Sequence, residues 1–251
     1  MMKRSLLNRM KGLSLAAAAA LVTVGLAAPA SAQVVRVNSA DAKHSVGFNL
    51  GYFAVRGEDS RADGDVLLAN LDDLAFEIGD FSGFTFGGEY LFGIGDFLEA
   101  GGGLGYYQKS VTSVYRDFTD VDGTEIVQDL KLRQMPIDAT LRFIPTGRAA
   151  PVQPYVGGGV TFIPWRYTET GEFVDFSDNS IFRDRYEADG TAVGAVFLGG
   201  VRFPVADVMT TGVEFKWRKA EGDTDPEVSR LLGDKIDLGG WSTSWTFHFR
   251  F

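Results

Sequence analysis

The chain has 251 residues, 31 of them Gly and 20 Phe, with no Cys, 33 acidic against 24 basic residues, and a mean hydropathy near zero. The missing Cys excludes disulfides, thiolate metal sites and cysteine nucleophiles, and the acidic balance excludes a nucleic-acid partner, which requires a basic surface. Length permits one large domain or two small ones, and abundant Gly and aromatics suit a soluble all-β protein or a membrane barrel alike.

Residues 1–32 read as a secretory signal peptide. Lys3, Arg4, Arg9 and Lys11 form a basic start, Leu13 to Ala28 an apolar run, and Ala30-Ser31-Ala32 a small-residue cleavage site. A helical membrane anchor is the alternative, and the small-residue ending argues against it. The mature chain then begins at Gln33 with 20 basic and 33 acidic residues, a net charge of −13. No later run approaches the ~18 consecutive apolar residues of a membrane helix. If the mature protein sits in a membrane, closed strands are the remaining way to satisfy its backbone.

After a periplasmic lead-in at 33–43, alternation sets in. His44–Val55 places Val46, Phe48, Leu50 and Tyr52 opposite Gly47, Asn49 and Gly51, as a strand requires. A polar insert, 56–80, carries Leu67, Leu71, Leu74 and Ala75 at helical spacing, which predicts a helix over 65–76 with Asp63 or Asp65 as N-cap. The second strand, 82–92, sets Phe84, Phe86, Tyr90 and Phe92 against Gly83, Thr85, Gly87 and Glu89; the third, 97–112, follows a short turn. A polar stretch with a hairpin tip at Asp122-Gly123 comes next.

The fourth strand, 130–144, has Met135, Ile137, Ala139, Leu141 and Phe143 on one side and Pro136, Asp138, Thr140 and Arg142 on the other. Leu130 and Leu132 are out of phase with Met135, which predicts a bulge near Gln134, and Pro136 weakens the strand. Strands follow at 155–167, 191–203, 208–219 and 241–251, with a polar insert at 168–190 and another at 220–237. The Gly-rich core of the fifth strand leaves its inward and outward faces open.

Eight strands with long inserts after the odd ones and short turns after the even ones predict an all-β fold. Specifically, this is an eight-stranded antiparallel up-and-down transmembrane β-barrel occupying 44–251, with short periplasmic turns, long extracellular loops and both termini in the periplasm. A soluble lipocalin-like barrel is the rival; it requires the strand faces to be inverted around a ligand.

The signal, the alternating strands, Pro154-Tyr155-Val156-Gly157-Gly158-Gly159 and the final strand ending on Phe247, Phe249 and Phe251 together resemble the small outer-membrane β-barrel families. These are the barrels similar to the OmpA membrane domain and to OmpW. The resemblance implies a location in the outer membrane of a diderm bacterium, in contact with its lipid and lipopolysaccharide. It implies that the terminal aromatic strand is recognised by the barrel-assembly machinery. It also implies a monomer with a structural or surface-interaction role, a narrow channel for small or apolar solutes, or, more rarely, a lipid-modifying activity.

The inward parity carries Glu89, Glu99, Asp138, Arg142, Arg202, Glu214, Lys216 and Arg250. An eight-stranded lumen is about filled by side chains, and buried charges require partners. The set therefore reads as an interior network that plugs the lumen, with a gate as the alternative, and Ala at Arg142 or Arg202 is expected to raise conductance. Inward glycines on the first three strands either relieve crowding or leave a small cavity. His44 and His248 lie near the same end on opposite parities, which argues against a shared metal. No serine has a general base beside it, so no catalytic residue, cofactor or metal site is assigned. Acidic loop clusters at Asp117–Glu125 and Glu221–Asp225 lack calcium-loop spacing.

Overall fold

The structure, a computed structural model, describes residues 42–225 and 230–251. The signal segment and most of the lead-in lie outside the described residues. The elements are β1 (His44–Val55), a short helix α1 (Val66–Asn70), β2 (Gly83–Ile94), β3 (Leu98–Thr119), β4 (Glu125–Gln134), β5 (Ile137–Phe143), β6 (Gln153–Asp175), β7 (Ser180–Ala206), β8 (Met209–Asp223), β9 (Lys235–Asp237) and β10 (Gly240–Arg250). Every neighbouring pair is antiparallel, and β10 pairs with both β8 and β1, the latter from Ser45↔Arg250 to Val55↔Gly240. Since β4 and β5 are two halves of one stave between β3 and β6, the ring has eight staves.

The faces are not inverted. Phe48, Phe86, Leu141, Val160, Phe197, Phe215 and Trp245 point outward and are exposed, while the alternate residues point inward. No helix among the described residues is long and apolar enough to cross a membrane; the outward apolar band is carried by strands.

The bulge expected near Gln134 is absent. Tyr107↔Gln134 and Leu104↔Ile137 keep one register on β3, and Gln134↔Trp165 and Ile137↔Phe162 keep one on β6. Pro136, lacking an N–H, merely interrupts the ladder; its carbonyl still accepts from Gly105 N at 2.8 Å, and Met135 N donates to Pro164 O at 2.9 Å. The apparent change of phase has another cause. Leu130 and Leu132 share the inward parity of Asp138 and Arg142 and are completely buried. The barrel interior changes from polar to apolar along its axis.

The inserts expected at 113–128 and 168–190 are largely strand. β6 and β7 hold a single register from Gln153↔Arg202 to Asp175↔Ser180. Beyond the apolar band the outward face turns polar, as at Arg166, Thr168 and Thr170, so alternation fades while the backbone ladder continues. The hairpin tip at Asp122-Gly123 is present, with Gly123 at φ 83° and its N–H donating to Asp120 O at 2.8 Å.

Residues 56–82 fold back into the long-loop mouth. Val66 and Leu67 of α1 are completely buried among Phe53, Phe81, Tyr107, Leu130, Leu132, Ile163, Trp165, Tyr167, Ile236 and Leu238. The helix is shorter than expected because the chain turns extended: Ala75 N donates to Val114 O at 2.8 Å and Leu74 bridges Tyr115, covering the edge of β3. Asp65 occupies the N-cap position without capping the helix. Its carboxylate instead accepts from Arg61 at 3.2 Å and from Asp237 N at 2.8 Å. The Asp237 carboxylate in turn accepts from Arg56 at 2.8 Å and Ala62 N at 3.1 Å. The loop is thereby fastened to β9.

Candidate functional site

Inward positions on staves around the ring bring the interior charges together across the lumen, in layers. At the short-turn end Glu99 of β3 lies 2.6 Å from Arg202 of β7 and 3.3 Å from Arg148, which reaches inward from the 144–152 turn. Among the described residues Arg250 forms no ion pair with a carboxylate: it donates to Gln153 Oε1 at 2.5 Å and to the Arg148 carbonyl at 3.2 Å. The next layer centres on Arg142 of β5, which is 2.5 Å from Glu89 of β2 and 3.1 Å from Glu214 of β8. His248 Nε2 lies 2.6 Å from Glu89, and Tyr155 Oη donates to Glu214 at 3.1 Å. Two guanidinium groups lie over the Tyr155 ring, Arg142 at 5.3 Å and Arg202 at 4.9 Å from its centroid. A third layer joins Asp138 to Arg218 at 2.7 Å and to Lys216 at 3.3 Å, with Lys216 also 3.2 Å from Glu214.

All eight charges singled out from the sequence therefore lie in one buried set, and seven of them have oppositely charged partners. Sequence reasoning missed Arg148, Gln153, Tyr155 and Arg218, and gave His248 no partner. Arg218 has the parity of Glu214 and Lys216, so its signal was present; Arg148 sits in a turn, where parity says nothing. His44 faces outward, its Nδ1 2.5 Å from Tyr90 Oη, and does not approach His248.

Glycine makes room for this set. A Cβ on Gly47 would stand 2.3 Å from the His248 ring, and one on Gly200 would stand 2.4 Å from the Val213 carbonyl and 2.6 Å from Tyr155 Oη. Gly200→Ala is expected to lower the urea unfolding free energy of the refolded barrel by about 1–3 kcal/mol through overpacking. A small polar cavity borders the charge layers, lined by Glu89, Asp138, Lys216 and Arg218 together with Asn49, Gly103, Gly105 and Ser244. Its volume is about 20 Å³, roughly one water molecule. Both readings of the inward glycines thus apply, at different positions.

Past Phe162, the last apolar outward residue of β6 before its polar stretch, the buried Glu169 accepts from Asn70 Nδ2 of α1, which also donates to Tyr167 Oη at 3.2 Å. Burial raises the Glu169 pKa, outweighing the hydrogen bonds from Asn70 and Tyr167. A carboxyl with a raised folded-state pKa contributes stability below its ordinary range, and that contribution is lost as pH rises through the raised value. Glu169→Gln is therefore expected to flatten the pH dependence of loop docking above about pH 4.3, read by hydrogen exchange of 66–70 across pH 4–8.

On the outward face, Phe249 and Phe251 are exposed and Phe247 stacks on Phe48 at a centroid distance of 5.0 Å. Over residues 16–249 the sequence matches the model of the outer membrane protein beta-barrel domain family. The chain belongs to this family. It is an outer-membrane β-barrel protein, integral to that membrane and surrounded by its lipid. Among curated proteins none matches its sequence significantly. Similar solved structures include the outer membrane protein OprG from Pseudomonas aeruginosa, 13% identical, TM-score 0.46, covering 84% of this chain and 96% of that one. Neisserial surface protein A is 12% identical with TM-score 0.41, covering 83% and 97%. The N-terminal β-barrel domain of Pseudomonas aeruginosa OprF is 11% identical with TM-score 0.38, covering 84% and 98%. The family assignment rests on the family match alone.

Proposed function

We propose that this outer-membrane barrel is a non-catalytic, monomeric structural or surface-contact protein whose lumen is closed in two successive layers. The observation that carries this reading is the filled interior. Paired charges occupy the short-turn half, the docked 56–82 loop fills the long-loop half, and the cavity beside the charges measures about 20 Å³. In this reading the short turns and both termini face the periplasm and the long hairpins face outward. Phe247, Phe249 and Phe251 are presented on β10 for recognition by the barrel-assembly machinery.

The mature chain refolded in planar bilayers is expected to show heat-modifiable gel migration and no discrete conductance steps. Reproducible single-channel steps in the unmodified barrel would replace the closed-lumen reading with a channel. Surface labelling of a cysteine placed at Asp122, read in intact cells, tests the sidedness.

A further inference from the structure

Directly opposed like charges on one face of a sheet repel each other. On the outward face Arg133 of β4 stands opposite Arg166 of β6, and Lys131 lies one outward position further along β4, opposite Thr168. Just before them on the same stave is Met135, outward and 38% exposed, followed by Ile137 opposite Phe162. Arg133 is thus two residues, about 7 Å along the strand, beyond the apolar band. That is the depth at which lipid headgroups begin.

The cluster is only partly neutralised by protein. Arg166 lies 3.3 Å from Glu187 and 3.9 Å from Asp189, and Glu187 is shared with Arg185 at 2.5 Å. Arg166 Nε is buried without a hydrogen-bond partner. Among the described residues neither Lys131 nor Arg133 has an ion-pair partner, and the nearest outward carboxylate on β4, Asp129, accepts from Thr112 Oγ1 at 2.6 Å. Guanidinium groups on a rigid sheet suit bidentate recognition of phosphate.

We propose that Lys131, Arg133 and Arg166 form an anchoring site for the phosphorylated headgroup of an outer-leaflet glycolipid. The bound phosphate relieves the Arg133–Arg166 repulsion and sets the height of the barrel in the membrane. This inference rests on the proposed outward orientation of the long hairpins, but not on a closed lumen.

The test is native mass spectrometry of the refolded mature barrel in neutral detergent, titrated with diphosphoryl lipid A or its dephosphorylated form. A basic residue at a membrane surface contributes about fivefold. The wild type is therefore expected to prefer the diphosphoryl form by at least about tenfold. The triple variant Lys131→Gln, Arg133→Gln, Arg166→Gln loses that preference, and the control Lys219→Gln, Arg183→Gln keeps it. Heat-modifiable migration reports folding of each variant; if the triple variant fails to fold, Arg133→Gln alone reports the loss. Equal affinity of the wild type for both lipids, or a preference surviving in the variant, overturns the proposal. Displacement of the lipid by millimolar inorganic phosphate overturns its assignment to a lipid headgroup. Sidedness and conductance do not enter this assay, so failure of either earlier reading is seen separately.

Discussion

Replacing Arg142 with Ala is expected to lower the unfolding free energy of the refolded barrel by about 3–5 kcal/mol, measured by urea titration in lipid vesicles. Arg142 is 1% exposed and holds Glu89 at 2.5 Å and Glu214 at 3.1 Å. Without it two buried carboxylates lose their shared cation. Glu89 keeps His248 in direct contact, and Glu214 keeps Lys216 and Tyr155. The cost belongs to the stranded charges rather than to the lost attraction, because removing one partner leaves the other desolvated. The double variant Arg142→Ala, Glu89→Gln should therefore be more stable than Arg142→Ala alone, a coupling of at least about 1 kcal/mol in a double-mutant cycle. Additive effects would mean that the layer is solvated and not a buried network. Conductance is expected to stay silent in Arg142→Ala, contrary to the expectation from the inward parity alone. The docked loop still fills the other half of the barrel.

That difference marks where the sequence stopped being informative. Strand alternation is a local property with a period of two, so β1 and β10 were legible almost to the residue. So was their closure, since an apolar outward face must continue around the ring. The charged interior was legible for the same reason: Glu89, Asp138, Arg142 and Glu214 share one parity within their strands. Partnership was not, because it depends on the stagger between staves and on the turns. Arg148 reaches Glu99 from a turn, and Arg250, which parity placed beside the carboxylates, ends on Gln153 instead. Leu130 and Leu132 were the clearest signal of the apolar half. They mimic a slip in register because an interior that turns apolar along the axis puts Leu where a polar residue stands in the other half. Helical spacing at 67–75 located the loop segment, yet its burial depends on wall residues as distant in sequence as Trp165 and Ile236.

Leu67→Asp provides the largest expected change in the long-loop half. Leu67 is completely buried in the apolar core. Burial of a Leu side chain contributes about 1.5–3 kcal/mol, and an unpaired carboxylate in its place adds a desolvation cost of at least about 2 kcal/mol. The barrel wall need not unfold in response. Its ladder is independent of the loop, so the cheaper outcome is release of 56–82 from the mouth. Release breaks the Asp65–Asp237 link and the Ala75–Val114 hydrogen bond together. The expected result is protease cleavage within 56–82 accelerated by at least about a hundredfold, since each 1.4 kcal/mol is a factor of ten in the open population, with heat-modifiable migration retained. Unaltered cleavage would mean that the loop is held by its polar latch alone. Conductance then separates the two layers. Leu67→Asp leaves the charge layers in place and stays silent, as does Arg142→Ala, whereas the combined variant removes an obstacle from each half and opens stepwise current. A silent combined variant would place the closure in the Glu99–Arg202–Arg148 layer, and a current in either single variant would reduce the two closures to one.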